Sequence, residues 1–305
     1  MSDSLSNKVD VIIIGGGPAG MSAALVLGRA RRHVLVIDEA LPRNRVTHES
    51  HGFLTRDGIA PAEFRQIARE QISAYPSVSF VQETVTDVTG TDGHFEVKAS
   101  SGTTYQGAKI IFATGMKDAP LEVKGLQDVY GKSAFVCPYC DGWEMQDRPT
   151  AIIAGDHALH LARTLSGWTS DLIVFTDGSP RPDEEVEQLS SRGITIYDAK
   201  IREILSEDGQ THAILLEDGT EVPRTSIFFA PKLISGSDLP QKMGCTMTEF
   251  GAMQVDEMGR SNISGVFGTG DSASRMYQIA AAVSSGSLVG VVINSEFLEQ
   301  DWENR

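Results

Sequence analysis

The chain has 305 residues, 41% of them hydrophobic, with 41 acidic against 26 Lys and Arg side chains and a formal net charge of −15. This length suits two domains better than one core, and the acidic balance argues against nucleic acid or an anionic membrane as partner, because both reward lysine and arginine. No run of about 18 apolar residues is present and residues 1–8 are too polar for a signal peptide, so the expected setting is cytoplasmic, without a membrane.

Residues 9–14 are almost all β-branched and read as a buried parallel strand. Gly15, Gly16, Gly17, Pro18, Ala19 and Gly20 follow, then a helix expected over 21–32 and a second strand over 33–38 that ends on Asp38. Strand, tight turn, helix and strand with GxGxxG at the joint let backbone N–H groups approach a pyrophosphate at a helix N-terminus. The acid closing the second strand is placed to accept hydrogen bonds from ribose hydroxyls, which makes the match specific. Turn residues at 91–93 and 100–102 mark an antiparallel hairpin region within 78–115, closed by a strand running into Ala113, Thr114 and Gly115.

Cys137, Pro138, Tyr139, Cys140 and Asp141 come next. A Cys-x-x-Cys pair closes and reopens a small disulfide ring, carrying two electrons per cycle, and a neighbouring carboxyl suits the proton that each departing thiolate needs. Zinc would need two further Cys or His ligands at suitable spacing; Cys245 stands alone and reads as a small buried side chain. A second α/β pattern follows: strand 151–154, helix 157–168, strand 171–176, and further strands at 194–197, 213–217 and 226–230. Around 231–237 the composition becomes loop-like and the chain is expected to return to the first domain. A strand and turn over 264–271, containing Gly270 and Asp271, precede a small-residue helix over 277–297.

The Gly15 loop, Ala113-Thr114-Gly115, Cys137 to Asp141 and Gly268 to Asp271, in that order and spacing, resemble the low-molecular-weight thioredoxin reductase family. The likeness covers nearly the whole chain. It implies an α/β fold of two Rossmann-like, three-layer ββα domains. A discontinuous FAD domain would take 1–117 and 246–305, and an inserted NADPH-domain-like domain over 118–245 would carry the CxxC. It also implies FAD as cofactor and a homodimer. The FAD site would use Gly15, Gly17, Pro18, Ala19, Gly20, Asp38, Glu39, Asn44, Val85, Thr114, Gly115, Gly270, Asp271 and Gln278. By the same resemblance Cys140 faces the flavin, Cys137 exchanges with substrate, and Asp141 shuttles the proton. The segment 44–58 departs from ordinary thioredoxin reductases; its His51-to-Gly58 wording, HGFLTRDG, resembles a branch that includes fungal and bacterial dithiol oxidases. His51 is a candidate proton carrier near the flavin or the dithiol, or a structural loop histidine. A metal site at His48 and His51 lacks further ligands.

The second glycine fingerprint is broken. Where a nicotinamide reductase of this family carries it, the chain reads Ile152 to His160 with Gly155 alone, so Cβ atoms stand where a pyrophosphate would approach. Asp177, closing the next strand, would repel a 2′-phosphate, although it could suit the ribose of NADH. His157 and His160 share a helix face and read equally as surface residues. In the acidic C-terminal stretch, Trp302 either covers an isoalloxazine ring, its own or the partner's, or belongs to a frayed tail or dimer contact. The expected function is an FAD-dependent dithiol/disulfide oxidoreductase with a degenerate NADPH site, acting on a thioredoxin-like protein or a small dithiol or disulfide. A ferredoxin or flavodoxin is a possible donor. The alternatives are an oxygen-using dithiol oxidase, an ordinary NADPH-thioredoxin reductase, and a flavin-binding redox sensor.

Overall fold

In the computed structural model, which describes residues 8–119 and 122–304, the β-branched run forms β1 (Lys8–Ile14). The polar stretch up to residue 7, residues 120–121 and residue 305 lie outside the described residues, and with them the expectation about a signal peptide. Then come α1 (Pro18–Arg29), β2 (Val34–Ile37), α2 (Pro61–Ile72), β3 (Val78–Val81), β4 (Val85–Thr91), β5 (His94–Ala99), β6 (Thr104–Phe112) and β7 (Met116–Asp118). Next are α3 (Leu126–Val129), β8 (Ala134–Phe135), α4 (Pro138–Asp141), β9 (Thr150–Ile153), α5 (Ala158–Leu165), β10 (Leu172–Phe175), α6 (Asp183–Ser190) and β11 (Thr195–Tyr197). The antiparallel strands β12 (Ile201–Glu207), β13 (Gln210–Leu216) and β14 (Glu221–Pro223) precede β15 (Ser226–Phe229). The last elements are β16 (Leu233–Ser235), α7 (Leu239–Lys242), β17 (Val266–Gly268) and α8 (Ile279–Glu303). The chain divides into two units: up to Arg45, Ala62–Lys117 and from Leu233 onward; and Val46–Pro61 with Asp118–Lys232.

The first unit is a sheet in the order β3-β2-β1-β6-β5-β4, with β17 also pairing β6. β1, β2, β3, β6 and β17 run parallel, while β4 and β5 are antiparallel. Alternation along β1 supplies two cores. Val11 and Ile13 face α1 and α8 with Leu27, Val289 and Ile293, whereas Ile12 and Ile14 face the meander residues Phe95 and Val97. The result is the three-layer ββα arrangement. α1 begins at Pro18, earlier than residue 21, because a proline at the first helical position gives up only an N–H that has no helical partner. α8 lies tightly on α1: a Cβ added at Gly286 would stand 2.1 Å from the Ala19 carbonyl oxygen, and Ser22 donates to the Val283 carbonyl at 2.7 Å. Although no purely apolar run exists, α8 is long and apolar enough by composition to cross a membrane, with a mean hydropathy of 1.4. Its inner face instead builds the first unit's core.

The second unit has a five-stranded parallel sheet, β11-β10-β9-β15-β8, and a separate antiparallel sheet, β12-β13-β14. The strand expected over 213–217 is therefore the middle of a meander and does not complete the parallel sheet. β12 carries charges among its apolar residues and β14 has three residues, so neither gives a clear sequence signal. The unit ends at Lys232 rather than 245, and it takes in 46–61, which the sequence reading assigned to the flavin domain. Cys245, in the first unit, is buried, and burial pushes its thiol up.

Candidate functional site

One candidate site is the glycine turn of the first unit. Gly17 caps α1 without any side-chain hydrogen bond, so the helix presents bare N–H groups. The three glycines do different work. A Cβ at Gly15 would lie 2.3 Å from the Ala113 oxygen and one at Gly20 2.0 Å from the Gly15 oxygen, whereas one at Gly17 would meet no atom within 4 Å. Gly15 and Gly20 thus pack the turn, and Gly17 opens onto space where a phosphate fits. Asp38 accepts the Gly16 N–H at 2.9 Å on Oδ1 and pairs through Oδ2 with Arg65, a residue the sequence reading missed. Glu39 is held by Lys117 at 3.2 Å. The Thr114 hydroxyl is buried without a partner among the described residues, beside Gly115 at φ 63°.

Gly270 and Asp271 form a short turn anchored by α8: the Gly270 N–H donates to Ser285 Oγ at 3.0 Å, and the turn packs on Ala19. Burial raises the Asp271 carboxyl to about 6, opposed by the charge of Arg43, which the sequence reading also missed. Asn44 lies in the short turn Arg43–Val46, Val85 opens β4 half-buried, and Gln278 is the exposed N-cap of α8. Trp302 stands apart from these residues. The acidic stretch continues α8 up to Glu303, and Trp302 is 78% exposed on its last turn. At a rise of 1.5 Å per residue it stands about 36 Å along the helix from Gln278, so it does not cover this subunit's flavin. The bare helix end, the opening at Gly17, the unpartnered Thr114 hydroxyl and the buried Asp271 carboxyl together fit FAD.

A second candidate site lies in the second unit. Cys137 caps the four-residue α4, Pro138 starts it, and the Cys140 and Asp141 N–H groups donate back to the Cys137 carbonyl at 3.0 and 3.1 Å. Cys137 and Cys140 are joined as a disulfide, with Cα atoms 5.2 Å apart. Gly142 lets the chain pass Trp168, since a Cβ there would lie 2.4 Å from the Pro138 oxygen and 2.9 Å from the indole. Tyr139 stands edge-on to Trp168 at 5.5 Å and is 71% exposed; Trp143 is 69% exposed. Burial chiefly, and the Glu144 charge next, raise Asp141 to about 7, with His51 opposing.

His51 therefore belongs with the dithiol, on the 46–61 segment. Its side chain is 18% exposed, with Nε2 3.5 Å from Glu49 and 3.6 Å from Glu144, and Nδ1 3.7 Å from Asp57. Glu144 went unnoticed in the sequence, although its i+3 spacing from Asp141 is that of neighbours on one helix face. No group of three His, Cys, Asp or Glu side chains among the described residues is arranged to hold a metal. At the second loop, Gly155–His157 form a tight turn before α5. Asp177 is engaged locally, its Oδ1 accepting the Ile201 N–H at 2.8 Å; His157 and His160 are exposed.

The pyridine nucleotide-disulphide oxidoreductase family model matches residues 9–286. The chain belongs to that family. Thioredoxin reductase tcpT of Claviceps purpurea is 32% identical, over 97% of this chain and 96% of its own. Among solved structures, TrxB of Bacillus anthracis, described as a thioredoxin reductase, superposes with a TM-score of 0.92 at 34% identity, covering 96% of this chain and 99% of that one. An oxidoreductase from Agrobacterium tumefaciens gives 0.89 at 36% identity, covering 95% and 99%. This family member is thus a thioredoxin-reductase-like, FAD-dependent oxidoreductase acting on a sulfur group.

Proposed function

We propose that this flavoenzyme exchanges electron pairs between its FAD, the Cys137–Cys140 pair and a thioredoxin-like protein or small dithiol or disulfide, without NADPH as an efficient donor. The observation that carries the reading is Asp141, a buried carboxyl one residue beyond the disulfide, held at about 7. Bound FAD supplies two-electron chemistry. In the reducing direction the Cys137 thiolate attacks a substrate disulfide, the released substrate thiolate takes a proton from Asp141, and Cys140 displaces the second substrate thiol as the ring closes. In the oxidising direction each step reverses: a substrate thiolate opens the ring at Cys137, Cys140 leaves, and Asp141 holds the proton. A carboxyl near 7 gives and takes protons at neutral pH with little bias.

Dithiol oxidation with oxygen as final acceptor is the second reading, favoured by a glycine loop with Gly155 alone and no obvious nicotinamide source. In the reducing direction a ferredoxin or flavodoxin would serve as donor. A cytoplasmic homodimer, free of membrane and nucleic acid, completes the proposal. The exposed stripe of Leu288, Val291, Leu298 and Trp302 along α8 supports the dimer.

Anaerobic titration of the flavin absorbance with NADPH, NADH and a small dithiol, each alone, tests the proposal. Bleaching by dithiol but not by NADPH is expected. Rapid recovery with peroxide in air selects the oxidase; slow recovery selects a reductase with a protein donor. Fast bleaching by NADPH would restore the ordinary reductase, and absence of turnover with any dithiol would leave a sensor.

A further inference from the structure

The second glycine loop is not merely short of glycines; it is already filled. Leu159, near the start of α5, donates its N–H to Glu185 Oε1 at 3.2 Å, the kind of backbone group that a phosphate accepts from at a helix N-terminus. Glu185 is 3.6 Å from the Arg181 guanidinium, and their side chains are 12% and 3% exposed. Arg181 also lies 3.8 Å from Asp156, and its Nη2 stands 4.0 Å from the point a Cβ on Gly155 would take. The guanidinium therefore lies over the one remaining glycine, with its Nε buried and unpartnered among the described residues.

We propose that the Arg181–Glu185 pair occupies the place of a dinucleotide pyrophosphate at this loop and is what excludes NADPH. The proposal rests on the reading above that the second loop does not serve NADPH, and it names the residues responsible. One cation and two carboxylates, Asp156 and Glu185, leave the site with a net negative charge. An incoming pyrophosphate meets repulsion where the fingerprint ordinarily offers a positive helix end. It would also have to displace a carboxylate whose arginine is almost wholly buried, leaving that partner without its counter-charge. Arg181 is accordingly no 2′-phosphate ligand: its charge is already committed within the unit.

Binding of inorganic pyrophosphate and of NADP+ to the FAD-loaded full chain tests this by equilibrium dialysis. Wild type should bind both weakly. Glu185→Ala should tighten pyrophosphate binding at least about tenfold. Glu185→Gln should tighten it less, because its amide oxygen still accepts the Leu159 N–H. Dithiol turnover should be unchanged in both. Glu185→Gln conserves volume, so it carries the test if the alanine variant does not fold. Affinities within twofold of wild type in a folded variant would overturn the proposal while leaving NADPH independence intact. Tight NADP+ binding by wild type, lost in Arg181→Gln, would overturn both.

Discussion

At the residue scale the chemistry turns on one proton. Asp141 feels His51 and Glu144 with opposite signs, so the two neighbours give opposite tests. The pH profile of dithiol turnover should bend near pH 7. The bend should move up in His51→Gln, which removes the opposing influence of His51, and down in Glu144→Gln, which removes the Glu144 charge. A merely structural His51 would lower the rate without moving the bend. Asp141→Asn should lower kcat about 10²–10⁴-fold, as for loss of a general acid, and abolish the bend. The same burial has a stability consequence. The folded carboxyl sits above its ordinary 3.8, so folding favours the protonated form, and stability falls as the pH rises from about 4 to about 7 before levelling. Asp141→Asn should therefore unfold at a higher temperature than wild type, by a margin that widens over that interval in thermal scans. Cys137, Cys140 and Asp141 were legible in sequence because they are adjacent. The His51–Glu144 approach was not, since it depends on a segment many residues away folding into the dithiol's unit.

At the scale of elements, the two glycine contacts around α1 separate binding from folding. Gly17 has φ −77° and ψ −175°, open to any residue, and space before it. Gly17→Ala should keep the flavin-free fold within about 1 kcal/mol of wild type yet lose FAD affinity at least about tenfold, since its Cβ stands where the backbone should meet a phosphate. Gly286→Ala is the converse: its Cβ would meet the Ala19 carbonyl oxygen at 2.1 Å, forcing α8 away from α1. It should destabilise the fold by about 1–3 kcal/mol in urea unfolding. The βαβ unit around these glycines was read correctly because its strands are continuous apolar runs joined by a fixed turn chemistry. β12 and β14 were missed because a meander strand exposed on one face shows neither a long apolar run nor a clean period, and β14 is too short to show either.

For the whole molecule, charge is the property that sequence reports without any fold. A net charge of −15, with Glu49, Asp57, Asp141 and Glu144 in the dithiol's unit, should steer cationic substrates inward. Of two small dithiols of equal potential, the cationic one should show the higher kcat/KM at low ionic strength. The advantage should shrink toward 0.15 M salt, where screening acts over about 8 Å. Salt-independent ratios would show that the charges lie away from the approach path. The fold class and a discontinuous first unit were implied by the family resemblance that the ordered motifs carry. The assignment of 46–61 could not, because that segment is polar and loop-like and nothing in its pattern says which core it joins.

The unbroken course of α8 has a practical side. Because the helix carries Trp302 to the far end from the flavin turn, that indole is an optical label already built into the chain. Its emission should persist when the cofactor binds, and the difference between wild type and Trp302→Phe would isolate its signal. Because the same residue belongs to the exposed apolar stripe of α8, a shift of that emission on dilution should report dissociation of the proposed dimer.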